Sequence, residues 1–445
     1  MKLIYFFLMI IFLVSPVFGD EEDKKDEEIG KLRENTILYG IESQVSDLIT
    51  QLKDEKNDRY NEQLKELFHK TDNTTLLIGI VDLFDTLEDH DLITDVHLQL
   101  MDYEDLSPKL VLTMLHYLSD NQTPEITATL YEMADAANIE TASLSIQSIG
   151  NSGLEEYGPK LMELTEKEEF RDELEPAVIF ALGKLKYEKA VTYLADIAED
   201  EDQGNSLRWR ACEALGRIGG DQAFKTIKNL LNANDSYLRA YAVGALSRFE
   251  KEDIYDILID ALRDDFWRVR IRALEALGEL KDQKSLDVMR YKVYNDPDVR
   301  NVRLAAVRAI GAVDTNKGYD ILREVYADAT APLLLRSESV KILVEHSLNA
   351  SIKSIEQLME EDWNKDNSQI LDYTCKQLSL TKSNSLVSLY EKMLSHPKSI
   401  NLLIYGLRGI RLNKYGSLKE KVEILTDKKY ARSVRQLAES VLDEL

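Results

Sequence analysis

Between Ile254 and Leu277 the apolar positions recur every three or four residues. Ile254, Ile257, Leu258, Ala261 and Leu262 form one stripe; Val269, Ala273, Leu274, Ala276 and Leu277 form a second. That spacing predicts two amphipathic helices, A and B, each with one face to bury. Asp264-Asp265 stop helix A, and Asp265 is expected to cap helix B. The next unit repeats the arrangement at Asn295-Asp296-Pro297-Asp298, where Asp296 suits an N-cap and Pro297 the first helical position. No sustained period-two alternation and no Asn-Gly hairpin signal occurs, so strands are not expected.

Helix B recurs along the chain. Arg208-WRACEALG, Arg239-AYAVGALS, Arg270-IRALEALG, Arg303-LAAVRAIG and Arg336-SESVKILV align without gaps, and Glu175-PAVIFALG is a weaker copy without the arginine. The last position of the pattern falls at Gly183, Gly216, Ser247, Gly278, Gly311 and Val344, 31 to 33 residues apart. Extending the period predicts further helices ending near Leu52, Asp85, Ser119, Gly150, Ser379, Arg411 and Leu442. The alanines mark close helix crossings, and the recurring glycine is expected to permit the turn out of helix B. One hairpin cannot bury its own apolar face, so the stable object is a stack. The expected fold class is all-α, an α-α superhelix (solenoid) of about a dozen hairpins.

An R-x-x-A-Φ-x-A-Φ-G pattern (Φ apolar) at this period resembles HEAT repeats of the short, phycobilisome-lyase-like subclass. The resemblance is clearest over 175–345 and extends over about 34–445. It implies a superhelix with helix B on the concave side, commonly a binding surface, and implies no reaction. The Trp-Leu-Gly-Tyr positions of tetratricopeptide repeats do not recur.

Around this array the organisation is simple. Residues 1–19 read as a signal peptide: Lys2, an apolar run from Leu3 to Val14, Ser15-Pro16, then Val17 and Gly19 as small residues before a cut at Asp20. Residues 20–33 form an acidic leader expected to lack structure of its own. Degenerate acidic repeats follow over 34–174, clear repeats over 175–345, and degenerate repeats with a cap over 346–445. No transmembrane segment is expected after signal cleavage. The expected location is outside the cytoplasm, periplasmic or secreted.

Charge narrows the partners. The formal net charge is −25, which excludes general nucleic-acid binding, since phosphate contacts need clustered Lys and Arg. The excess is uneven: 45 acidic against 16 basic residues from Asp20 to Ser206, and 35 against 38 from Leu207 to Leu445. A basic protein partner suits the acidic region. Two cysteines, Cys212 and Cys375, cannot build a disulfide framework; each sits at a core position of helix B.

Three groups of residues carry candidate chemistry. Arg208, Arg239, Arg270, Arg303 and Arg336 recur once per repeat and are read as a structural ladder, each bonding acidic or carbonyl groups of a loop. Trp209, Arg210, Glu213, Arg217, Tyr241, Arg248, Arg272, Glu275, Glu279 and Arg308 occupy non-core positions of central helix B and form a candidate protein-binding groove. His90 and His97 lie seven residues apart, a spacing unlike the i, i+3 or i, i+4 of helical metal pairs, and Glu345-His346 is a lone reversed pair. No metal or cofactor site is therefore expected, and no G-x-S-x-G, Walker loop or dinucleotide fingerprint appears. The reading is a non-enzymatic exported scaffold or adaptor. A carrier or chaperone for peptides or small ligands is the alternative, with an accessory lyase-like enzyme behind it.

Overall fold

The computed structural model describes residues 19–445 apart from 168–169, 251–253, 299, 366 and 397, with side chains from residue 26 onward. The segment read as a signal peptide thus lies outside the described residues, save Gly19. Among the described residues are 26 α-helices, six short 3-10 turns and no strand: the fold is an all-α solenoid. No described helix is long and apolar enough to cross a membrane.

The chain divides into two compact units between Thr192 and Tyr193. Thirteen B helices, from Glu42–Glu55 to Arg432–Glu444, alternate with A helices, and all thirteen register positions fall in or directly after a B helix. Within each unit every B helix packs on the next B helix. The stripes read from the sequence are the core: Ile254, Leu258, Val269, Ala273, Leu274, Ala276 and Leu277 are all buried.

The glycine column does a different task from the one expected. Gly150, Gly216, Gly278 and Gly311 lie inside helices, and none has a positive φ. They permit close approach instead. A Cβ on Gly150 would come within 2.7 Å of the Ala181 Cα, one on Gly216 within 2.7 Å of the Ala245 Cβ, and one on Gly278 within 3.1 Å of the Ala309 Cα. Gly150, Gly216 and Gly278 are therefore each packed on an alanine of the next repeat, and Gly311 on Ile342. The turn out of helix B comes three residues later, at a residue in the left-handed region: Glu88, Gly153, Lys186, Gly219, Lys281, Asp314 and Lys414. Around Glu88, Lys186 and Lys414 the following N–H reaches back five residues, as from Asp89 to the Phe84 carbonyl (2.9 Å), closing the helix end.

Two further expectations are corrected. The acidic leader is helical, continuous with Gly19–Tyr39. Its Glu and Lys are good helix formers, Lys31 pairs with Glu27 one turn away (2.7 Å), and Arg33 grips Glu55 with two bonds (2.6 and 2.7 Å). Asp265 does not cap a helix: Trp267–Glu279 starts after Phe266, whose N–H bonds Asp264 Oδ1 (2.8 Å). Likewise Val302–Ala312 starts beyond Pro297, after Asn301. Asp296 is instead drawn into the protein by an arginine.

Candidate functional site

The repeated arginines point into the loops. Arg208, 7% exposed, donates to the Ala198 carbonyl (3.1 Å), and Arg336 donates to that of Tyr326 (2.9 Å). Arg303 donates to the Asp296 carbonyl (2.5 Å). Arg239 and Arg270 do more. Arg239 holds both oxygens of Asp264 (2.8 and 2.9 Å) and the Ala233 carbonyl (2.9 Å). Arg270, 7% exposed, holds both oxygens of Asp296 (3.0 Å each) and the carbonyls of Asp264 and Asp265 (2.8 and 2.9 Å). Each of these two forks joins one repeat to the loop of the next. Burial pushes the Asp264 and Asp296 carboxyls up, but the forks, with the N–H groups of Phe266 and Asp298, outweigh it and hold both below the ordinary aspartate value.

Asp235 occupies the same loop position, yet its partner is an indole: Trp209 Nε1–H donates to Asp235 Oδ2 (2.6 Å). That bond fixes the ring's edge. Its face lies on Tyr241, with centroids 5.7 Å apart and planes 14° from parallel, and Tyr237 sits 5.2 Å away. Tyr237 also meets Phe266 (5.0 Å), and the Arg268 guanidinium lies over Tyr237 (5.2 Å) and Trp267 (4.8 Å). The set borders a depression of about 450 Å³ across the helices Asn205–Ile218, Ser236–Leu246 and Trp267–Glu279, with Ala240 and Ile271 among its lining. Tyr237 and Tyr241 remain 39% and 38% exposed there. Large rings kept near water but locked in orientation make a rigid contact surface with little entropy left to lose on binding.

The ten groove residues do not form one cluster. Trp209, Tyr241, Arg272 and Glu275 line the depression, and Arg272 and Glu275 pair along one helix (3.0 Å). Glu213 pairs with Arg217 (2.9 Å) and stands 4.0 Å from Arg248. Arg308 turns to Glu338 on the Leu333–His346 helix (2.6 Å), while Arg210 and Glu279 are exposed. The sequence reading omitted Tyr237, Phe266, Trp267 and Arg268. The available signal was their place two to four residues before the column arginine, one helical turn from the positions just after it.

Elsewhere, Cys212 and Cys375 are free and buried; burial pushes the Cys212 thiol up to about 12 and Cys375 in the same direction. His97 bonds Thr129 (2.9 Å). Among the described residues no group of three or more His, Cys, Asp or Glu is placed to hold a metal ion.

The profile of the spirochaete HEAT repeat proteins matches residues 37–441, nearly the whole chain. The chain belongs to this spirochaete HEAT repeat family. No curated protein matches it. Among solved structures, yeast importin-beta (Kap95p) is similar at 15% identity over 93% of this chain and 60% of that one, with a TM-score of 0.46. Kap121p bound to Pho4p is similar at 12% identity over 94% of this chain, with a TM-score of 0.44; this chain spans about half (53%) of its length. The CpcE–CpcF phycocyanin lyase of Nostoc sp. PCC7120 is similar at 20% identity over 57% of this chain and 94% of that one, with a TM-score of 0.32.

Proposed function

We propose that this HEAT repeat protein is an exported, non-enzymatic adaptor that binds another protein along its solenoid. The observation that carries the reading is the locked aromatic face of Trp209, Tyr237 and Tyr241, flanked by arginines of the B helices Asn205–Ile218 and Trp267–Glu279. Trp, Tyr and Arg are the groups that dominate binding energy at protein interfaces, and here they are held ready before any partner arrives. Export is supported by Lys2 and the apolar run from Leu3 to Val14. The acidic excess before Ser206 favours a basic partner there, with binding that weakens as salt shortens the Debye length. A carrier for a small ligand is the second reading, because the depression falls within the size of small-molecule pockets.

Photocrosslinking separates them. A benzophenone amino acid at Tyr241 in cells of the native species is expected to give one stoichiometric protein adduct, lost in the Trp209→Ala background. The same probe at Lys225, exposed on the A helix Gly220–Leu230, is expected to give none. Equal adducts from both positions, or a small molecule retained in native mass spectrometry without any protein adduct, would overturn the adaptor.

A further inference from the structure

The register of the three helices suggests what the aromatic face takes. Two residues after the column arginine stand Arg210, Tyr241 and Arg272; two residues before it stand Ser206, Tyr237 and Arg268. On each helix these positions are i and i+4, hence neighbours on one face. The tyrosine pair is thus bracketed by arginine positions on the preceding and following helices. Most guanidinium groups nearby are matched: Arg239 to Asp264, Arg270 to Asp296, Arg272 to Glu275, Arg217 to Glu213. Arg210 and Arg268 are not; among the described residues no carboxylate lies within 4 Å of either, and both are exposed. Arg268 lies over rings rather than against a carboxylate.

We propose that this face binds an extended acidic peptide segment, with carboxylates at its two ends and proline or an aromatic residue between them. The proposal rests on the adaptor reading and names the chemistry of its partner at this face. Neighbouring helices pack about 9–10 Å apart, so the outer rows are roughly 18–20 Å apart. An extended or polyproline II strand rises about 3.1–3.3 Å per residue, so about six residues cover that distance. Charge complementarity selects acidic ends, and the partly exposed rings of Tyr237 and Tyr241 suit the flat pyrrolidine or aromatic rings of the middle. A single-stranded nucleic acid also offers anions and flat rings. The peptide is favoured because an oligonucleotide carries a phosphate at every step, including those near Glu213 and Glu275, whereas the peptide confines its carboxylates to the two ends.

Fluorescence anisotropy on the full-length protein tests this with three labelled probes. They are an eight-residue peptide with two glutamates at each end around a Pro-Pro-Tyr-Pro centre, its lysine-ended counterpart, and a ten-nucleotide oligothymidylate. The glutamate peptide is expected to bind, about tenfold more weakly to Arg268→Glu and to Tyr241→Ala, with the lysine peptide gaining affinity for Arg268→Glu. Circular dichroism confirms that each variant is folded. Equal affinity for both peptides, tighter binding of the oligonucleotide, or an Arg268→Glu variant that binds unchanged overturns the proposal. A Tyr241 crosslink to a protein without glutamate-peptide binding would end this inference and leave the adaptor standing; loss of both would end both.

Discussion

The B helices begin differently in the two units. Before Thr192, Asn73, Ser107 and Asn138 each accept an N–H from their own first turn, at 2.9, 3.3 and 3.0 Å, a neutral bond made inside one hairpin. After Tyr193, Asp264 and Asp296 bond their own turns and also receive the arginine of the preceding repeat. The caps of the first unit are neutral; those at the centre of the second are charged and take an arginine fork from the repeat before. Beyond it, Ser368 and Ser399 return to neutral caps. Charge follows the same division: 40 acidic against 16 basic residues over 20–192, and 40 against 38 over 193–445. In the second unit several carboxylates are committed to holding loops; in the first there are too few cations to commit them, and the surplus stays as a field.

The sharpest way to break this contrast is Arg270→Ala. It leaves the buried Asp296 with only Lys292 Nζ (3.2 Å) and the Asp298 N–H (3.1 Å), and the expected loss is about 3 kcal/mol in denaturant unfolding. Replacing both partners, Arg270→Met with Asp296→Leu, is expected to recover much of it. A loss no larger than that of a neutral cap would erase the distinction. Acid gives the next effect. Because the folded Asp264 and Asp296 titrate below the ordinary aspartate value, their contribution is complete above the unfolded value, near pH 4, and is lost as pH falls through the lower folded values. The stability gap between the wild type and Asp264→Asn should therefore narrow from pH 5 to pH 2; a constant gap would contradict the fork. In the first unit Asn138→Ala should cost about 1 kcal/mol, with no dependence on acid in that range. The smallest effect is a gain. Lys281 holds φ at 52°, and Lys281→Gly should stabilise the second unit by about 0.5–1 kcal/mol, read as a raised unfolding midpoint. Destabilisation would mean that the lysine side chain matters more than its backbone.

Much of the fold was legible because the apolar spacing survives where the arginine signature fades. Leu52, Asp85 and Leu442 carry no such signature, yet their helices lie on the period. The turn at column position plus three was not legible, because Glu88, Lys186, Lys281 and Lys414 carry no compositional mark of left-handed backbone. The glycines were noticed but misassigned: a helix-interior glycine and a terminal one look alike until the neighbouring repeat is in place. The aromatic face was half visible. Trp209 and Tyr241 follow the arginine and were read; Tyr237 and Trp267 precede it and were missed, although a helix returns them to the same side.

The glycine–alanine joint also bears on descent. Three repeats present a glycine socket to a small residue of the repeat after them, and Gly150–Ala181, Gly216–Ala245 and Gly278–Ala309 are interchangeable couplings. A chain built this way can gain or lose a whole repeat by duplication or deletion and still close every joint. That freedom stops where the coupling changes: Gly311 meets Ile342, whose branched side chain would lie 2.8 Å from an added Cβ, and Val344 takes the column place in the next repeat. Repeats on either side of that point are no longer exchangeable, so gains and losses of length in related chains should fall before it.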